Sequence, residues 1–419
     1  MEALVLEGPP MSSIEAGFGE KSRLKALLEH FSRIDDPRAP WRVAYPLPEI
    51  LLLAVCGTIA DCEDYEAIAA WGEARLDFLR RFQPYHHGVP SGRWLTVFMN
   101  RIPPGLFQDC FLSWVREAWP DRPELVAIDG KTSRRSHDRS LGQAPLHLVS
   151  AFATTSRLVL GQEAVEDKAS ELAAIPVLLE RLATEGGLKG AIVTIDAIAC
   201  NATIAQAVRD AGADYLLAVK ANQPTLRDEI ESFFTSAPPE TLDHAADIDK
   251  GHGRIEQRAV TVARQVDWLS GARRFPGEVR LPAVAAIVRV VSKTELKDRC
   301  RTDTRYYITS APLAAQAAAE AVRGHWRIEN QLHWLLDVVF NEDQSRLRKG
   351  HGALNMAVVR HFAINLVRKA AEPARPRSGL RRATKKPAAT PRPTSIKLRR
   401  KLAGWDTDYL NAILDVNIR

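Results

Sequence analysis

The feature that most limits what this chain can fold into is a repeated one: a short apolar run that ends on an aspartate. Leu125-Val126-Ala127-Ile128 runs into Asp129-Gly130-Lys131, and Ala191-Ile192-Val193-Thr194-Ile195 runs into Asp196. Short apolar runs closed by turn residues read as buried strands. A carboxylate at the exit of such a strand stands at the sheet edge, where ligands of open α/β sheets collect. Two of them suggest a metal site.

The intervening pattern fits one sheet. Strands are expected near His147–Thr154 and Leu158–Val165, joined at Thr155-Ser156-Arg157 like a hairpin. Ser170 to Leu182 reads as a helix, with Ser170 as cap and Gly186-Gly187 as stop. Ile192–Ile195, a helix from Asn201 to Arg209 ended by Ala211-Gly212, and a strand at Tyr215–Val219 follow. The order is β-β-β-α-β-α-β, that of an RNase H-like core, with the aspartates on the first and fourth strands. Periodicity alone does not fix the pairing. Residues 222–310 read as a β-rich insertion, with strands at Arg254–Val262, Val284–Val291 and Arg305–Thr309, and helix returns from Ala311 to about Phe340.

Before this core the chain reads all-α. Arg23 to Phe31 is amphipathic, and Glu49 to Ile59 follows Pro48. Asp61 to Asp64 make a polar break. Tyr65, Ile68, Ala69, Leu76, Leu79 and Phe82 then recur at roughly helical spacing, and Phe107, Cys110, Phe111, Trp114 and Val115 follow Pro103-Pro104. Such a module either packs and dimerises or binds DNA. The expected divisions are a disordered leader at 1–20, a helical part at 21–120, an α/β core at 121–370, a Pro-rich basic linker at 371–395 and a C-terminal segment at 396–419 with a short helix at Tyr409–Leu414.

Composition excludes some classes. The five Cys residues, at 56, 62, 110, 200 and 300, form no CxxC pair, which argues against structural zinc and a disulfide framework and suits a reducing cytoplasm. The start MEALVLEGPP lacks the basic region and apolar core of a secretory signal. The longest apolar run, Ile50 to Ala60, is too short to span a bilayer. Charge is uneven: Arg368 to Lys401 holds 13 Lys and Arg against Glu372 alone, or +12, while the whole chain is +6, leaving −6 elsewhere. That segment is either a phosphate-binding arm or a solvated linker.

A third carboxylate is expected near the two aspartates. His325, Glu329 and His333 fall at i, i+4 and i+8 and share a helical face. The bland alternative for Glu329 is an exposed or interhelical ion pair. The spacing is ExxxH, not the ExxH of di-iron helices.

Six ordered motifs carry a family resemblance. They are Val126-Ala127-Ile128-Asp129-Gly130-Lys131, Glu166-Asp167-Lys168-Ala169-Ser170-Glu171, Thr194-Ile195-Asp196-Ala197, Tyr215 to Gln223, Gly251-His252-Gly253-Arg254-Ile255-Glu256 and His325-Trp326-Arg327-Ile328-Glu329-Asn330. The chain resembles a DDE-type transposase of a bacterial insertion sequence, in the branch with the H-repeat-associated proteins of Rhs elements, from about Asp36 to Leu414. The resemblance implies that Asp129, Asp196 and Glu329 are the catalytic, metal-binding triad. The intervals are 67 and 133 residues, the second lengthened by the β-rich insertion. Carboxylates suit Mg²⁺, with Mn²⁺ as the alternative, and two ions are expected. The implied partners are terminal inverted repeats, target DNA and at least one further copy of the chain, with no membrane. The implied location is the bacterial cytoplasm, at the nucleoid when DNA is bound. The alternatives are a catalytically silent DNA-binding remnant and a stand-alone nuclease.

Two departures stand out. Relatives carry Tyr and Arg seven and four residues before the glutamate and Lys after it; here these positions are Val322, His325, His333 and Leu336. Ser91-Gly92-Arg93-Trp94 replaces a usual S-H-D-T. The DNA-contact candidates are Lys131, Arg134, Lys220, Asn222, Arg254, His325, Arg327 and His333, with Gln223 and His252 beside them. Asp337, Glu342 and Asp343 are candidate outer acids, against ordinary ion pairs. Asp167 reads as a helix cap, and His86-His87 has no partner cluster for metal.

Overall fold

Among the described residues, five of the six N-terminal helices start where the sequence supplies a cap or a proline, the short helix at Leu76–Leu79 being the exception. They are α1 Arg23–Ser32, α2 Leu47–Ile59, α3 Tyr65–Ala74, α4 Leu76–Leu79, α5 Gly92–Arg101 and α6 Pro104–Ala118. Asp64 accepts from the Ala67 N–H at 2.8 Å, and α2 and α6 carry Pro in their first turns. Arg75, with φ −124°, separates α3 from α4, so the expected single helix is two. The altered Ser91-Gly92-Arg93-Trp94 stretch still caps α5, because Ser91 Oγ accepts from the Trp94 N–H at 3.3 Å. The computed structural model describes residues 22–414 apart from 139–141, 143, 166–169, 252–253, 272, 276–277, 297–298, 371 and 373–393. The leader, Asp167, His252 and nearly all of the 371–395 linker therefore lie outside the described residues.

Among the described residues, nine strands form one sheet. They are β1 Leu125–Thr132, β2 His147–Ala153, β3 Leu158–Val165, β4 Ile192–Ile195, β5 Asp214–Val219, β6 Leu242–Gly251, β7 Arg254–Ala263, β8 Ala286–Glu295 and β9 Cys300–Thr309. Their order is β3-β2-β1-β4-β5-β9-β8-β7-β6. β4 lies parallel to β1 and β5 parallel to β4, and all other pairings are antiparallel. The strands after residue 222 do not form a separate sheet: β9 pairs with β5 from Leu216↔Thr309 to Val219↔Tyr306. β6 is absent from the sequence reading because Leu242-Asp243-His244-Ala245-Ala246-Asp247 is polar. It is an edge strand, where charge blocks pairing with other chains.

Alternation along the strands sorts the two faces. Val126, Ile128, Val193, Ile195, Leu217 and Val219 pack with α7 Glu171–Ala183, α8 Ala202–Asp210 and α9 Pro224–Ser236. Ala127 belongs to the opposite face, with the N-terminal helices, and Leu216 and Val288 pack on α10 Ala315–His325. The continuation to Phe340 is not one regular helix: a π turn at Glu329–His333 precedes α11 Trp334–Val338. Gly324 lets α10 approach β1 closely, since a Cβ there would stand 2.1 Å from Leu125 Cδ2.

α12, Gly352–Lys369, has no counterpart in the sequence reading, yet it is central. It is buried without a break from Asn355 through Val367. A helix that is covered all round lacks the amphipathic period that sequence reading relies on. Its two buried asparagines are spent on backbone. Asn355 Nδ2 donates to the Met99 and Ile102 carbonyls at 2.8 and 3.0 Å. Asn365 pairs both ways with Val159 of β3, at 2.9 Å each.

α13 Ile396–Trp405 and α14 Thr407–Leu414 close the described chain, so the C-terminal segment holds two helices rather than one. Three arginines of the basic stretch turn inward. Arg368 donates to the Arg157 and Gln331 carbonyls, Arg399 to those of Val367 and Ala370, and Arg400 to Thr58 and Val339 while facing Phe340. That part of the excess charge is structural rather than a free phosphate arm. No helix among the described residues is long and apolar enough to cross a membrane.

Candidate active site

Strand register builds the site. β1 and β4 pair in parallel from Leu125↔Ile192 to Ile128↔Ile195. The next residues are Asp129 and Asp196. Asp196 follows the end of β4, but β1 does not end at Asp129 as the sequence suggested, because its pairing with β2 carries it on to Thr132. The two carboxylates still stand at one level. Alternation turns them toward the α10 face, where Thr194 Oγ1 lies 3.1 Å from His325 Nδ1. Glu329 opens the π turn and is exposed. Single π turns recur at functional sites because they offset the side chains that follow. Here His325 meets β4, while His333 Nδ1 stands 3.7 Å from Asp129 Oδ2 on β1.

Negative charge is in excess at this edge. Asp129 is pushed up to about 7, chiefly by burial and further by the charges of Glu329, Glu171 and Asp196, although the Gly130 N–H donates to its Oδ1 at 2.9 Å. Burial acts the same way on Asp196, but there Lys220 Nζ lies 2.7 Å from Oδ1, and with the Ala197 N–H it holds the carboxyl below its usual range. Burial pushes His333 down to about 4, helped by Lys131, and it lowers His325 as well. Both imidazoles are neutral at pH 7 and bring no positive charge.

The expected DNA contacts scatter. Lys131 is turned inward, 2.7 Å from Asp337, 2.8 Å from Glu342 and 3.9 Å from Asp343. A cation held by three carboxylates has little left for backbone phosphate, and those acids serve Lys131 rather than the triad. Arg134 remains largely exposed, 3.4 Å from Asp343. Arg327 donates back to the Thr154 carbonyl at 3.3 Å. Asn222 Nδ2 donates to the Ala197 carbonyl and Gln223 Nε2 to that of Cys200, each at 2.9 Å. Arg254 opens β7, and its side chain lies outside the described residues.

Sequence reasoning passed over Glu171 and His147. Glu171 begins α7 and lines a cavity of about 140 Å³ with Asp129, Gly130 and Asp196. His147 Nε2 lies 2.6 Å from Glu171 Oε1, and Thr132 Oγ1 lies 2.7 Å from His147 Nδ1. Gly130 makes room for the pair: a Cβ there would stand 2.4 Å from Glu171 Oε1. The available signal was the acid that closes the Glu166 to Glu171 motif.

The comparisons with known proteins bear on this arrangement. A family model described as "Transposase DDE domain" matches residues 120–366, and one described as "DDE_Tnp_1-associated" matches residues 28–115. The chain belongs to the DDE transposase family. Among similar members, the "H repeat-associated putative transposase YhhI" of Escherichia coli (strain K12) is 38% identical over 82% of this chain and 90% of its own length. The "Inactive transposase YbfQ" of the same strain is 42% identical, over 16% of this chain and 80% of its own. A solved piggyBac transposase synaptic complex with hairpin DNA overlaps 94% of this DDE transposase and 79% of the solved chain at 10% identity. Its TM-score of 0.37 supports no argument.

The donor chemistry fits a hard divalent cation. Asp129, Asp196 and Glu329 offer carboxylate oxygens, and Asp129 is pushed up chiefly by burial and further by neighbouring acids, a setting that a cation would relieve. Among the described residues, no three His, Cys, Asp or Glu side chains stand together as a ready-made cage. The acids fit as ligands that draw together on an ion.

Proposed function

We propose that this DDE transposase cuts DNA at the ends of an insertion sequence and joins the freed 3′-OH to target DNA. One observation carries the reading. The Ile128↔Ile195 register sets Asp129 beside Asp196, and Glu329 leaves the helix that covers the same face. The order β3-β2-β1-β4-β5, with β1, β4 and β5 parallel, supports an RNase H-like core for residues 121–370, extended by the 222–310 insertion. Residues 21–120 are read as the accompanying helical domain, 371–395 as a linker and 396–419 as a closing segment.

Mg²⁺ or Mn²⁺ ions held by Asp129, Asp196 and Glu329 would supply Lewis acidity to the reacting phosphodiester. The chain's own part is to hold and orient. Parallel pairing sets Asp129 and Asp196 side by side, and Glu329, exposed at the start of the π turn on the covering helix, would complete the set. The neutral His333 covers Asp129 without competing for its charge. Water attacks phosphorus first, the P–O3′ bond breaks, and the 3′ oxygen takes up a proton. The 3′-OH then attacks a target phosphodiester, exchanging one P–O bond for another. No covalent link to the protein is needed. Two ends must meet, so the acting form is at least a homodimer on terminal inverted repeats and target DNA, located in the cytoplasm at the nucleoid.

The test is cleavage of labelled DNA carrying the gene's flanking inverted repeat, with Mg²⁺, by wild type and Asp196→Asn. Cuts at the repeat end that vanish in the variant are expected. Binding without cutting by wild type, in both Mg²⁺ and Mn²⁺, would favour the silent DNA-binding reading instead. Cutting without joining would favour a stand-alone nuclease.

A further inference from the structure

The loop after β5 is laced to the turn after β4 by three side chains. Lys220 Nζ lies 2.7 Å from Asp196 Oδ1. Asn222 and Gln223 donate to the Ala197 and Cys200 carbonyls at 2.9 Å each. Every acceptor belongs to residues 196–200, so one short motif grips the segment that presents Asp196. The amides are partly buried and bind backbone, which makes them fixed parts of the clamp. The lysine differs: its side chain is 57% exposed, and its partner Asp196 is 50% exposed. An exposed lysine–carboxylate pair is weak, on the order of 1 kcal/mol or less. It is easily exchanged.

Lys220 also borders open space. A cleft of about 370 Å³ is lined by Asp196, Lys220, Arg227, Tyr307, His325 and Trp326. Arg305, also on this cleft, is 2.8 Å from Asp303, so its charge is already matched. A phosphodiester in this cleft would face Lys220 and Arg227, the latter 3.9 Å from Glu231 on its own helix. Asp196 is thus flanked by a lysine that can serve either of two anions.

We propose that Lys220 is a placeholder cation: it occupies Asp196 while the site lacks metal, and passes to a phosphodiester in the adjoining cleft once a divalent ion takes the carboxylate. Asn222 and Gln223 keep the loop in place through the exchange, so only the ammonium moves. This rests on the reading of Asp196 as a metal ligand. No covalent step is involved.

The first measurement is Mn²⁺ affinity by calorimetry for wild type, Lys220→Met and Asp196→Asn. Removing the ammonium, which competes for the carboxylate and repels the ion, tightens Mn²⁺ binding in Lys220→Met by about three- to fivefold. Unchanged or weaker binding would overturn the placeholder. Mn²⁺ binding by Asp196→Asn equal to wild type would instead overturn the site reading, so the two failures are distinct. The second measurement is the salt dependence of binding to a labelled duplex, with and without Ca²⁺. In Ca²⁺ the slope falls by about 0.9, one phosphate contact, in Lys220→Met. Without Ca²⁺ the two proteins show the same slope. An equal difference in both conditions would mean that no handover occurs. Matching circular dichroism melts for wild type and Lys220→Met, expected at an exposed position, secure the comparison.

Discussion

Asp129 and Lys131 stand two residues apart on β1, on the same side of the strand, in opposite electrostatic settings. Asp129 looks into a group of acids, with Lys220 as a cation drawn to one of them. Lys131 looks into a buried set in which charges are matched. Glu342 lies between Lys131 at 2.8 Å and Arg360 at 3.4 Å, and Asp337 takes the other side of Lys131. In that set burial opposes ionisation of Glu342, but Lys131 and Arg360 outweigh it and hold the carboxyl below its usual range. The matched set belongs to the fold: it ties β1 to α12 and to the segment after α11. The unmatched set is left with burial and like charge opposing Asp129, a setting that suits the proposed cation site. On that proposal, one strand would serve structure and chemistry through alternate neighbours on one face.

The comparison breaks most sharply at activity. Asp196→Asn should lower end cleavage by about a thousandfold or more, the loss expected when several kcal/mol of ion-mediated stabilisation go, while DNA binding in a gel-shift assay stays near wild type. Retained cleavage would remove Asp196 from the site. Next is Lys131→Met, which leaves Glu342 buried with Arg360 alone. Urea unfolding should show a loss of roughly 3–5 kcal/mol. The triple change Lys131→Met, Glu342→Leu and Arg360→Met, which leaves no member of the buried set stranded, should recover most of it, and failure to recover would mean that Lys131 acts outside this set.

Acid and base should act oppositely on the two regions. His361 is fully buried on α12, and burial pushes it down to about 4 from 6.5. A lowered imidazole contributes stability that is full above about pH 6.5 and is lost as pH falls toward 4, on the order of 3 kcal/mol. His361→Leu should flatten that decline in melts across this window. Asp129, raised from 3.8 to about 7, works the other way in the metal-free protein. Its penalty is absent below about pH 4, grows as pH rises, and is complete above about 7. Asp129→Asn should therefore melt higher than wild type at pH 8, by on the order of 4 kcal/mol, and equally at pH 4. No gain at pH 8 would mean that burial and the neighbouring acids do not penalise the Asp129 charge.

Much of this was legible in the residues. The strands leading to Asp129 and Asp196 were plain because a buried strand is a short apolar run, and β4 does stop before Asp196; β1 instead runs on to Thr132, since pairing with β2 leaves no mark in the residues themselves. The helix bearing Glu329 was legible as a helix, but its π turn was not, since an i→i+5 bond leaves no compositional mark. α12 escaped because a helix covered on every side has no face to detect. Lys131 was read as a phosphate contact because it follows the aspartate. Its partners Asp337, Glu342 and Asp343 lie more than 200 residues further along the chain, and only folding brings them near.

By itself the sequence determined the alternation of strand and helix, the capping residues and the identity of the acids, because these depend on neighbours within a few residues. Tertiary structure decided which of those acids remain unmatched. Charge balance is set by distances across strands and helices: His147 reaches Glu171, Lys220 reaches Asp196, and Lys131 reaches Glu342 only once β1, β2, β5, α7 and the segment after α11 have packed together. A carboxylate's role follows from the cations within a few ångströms of it, and the order of residues along a chain does not specify that distance.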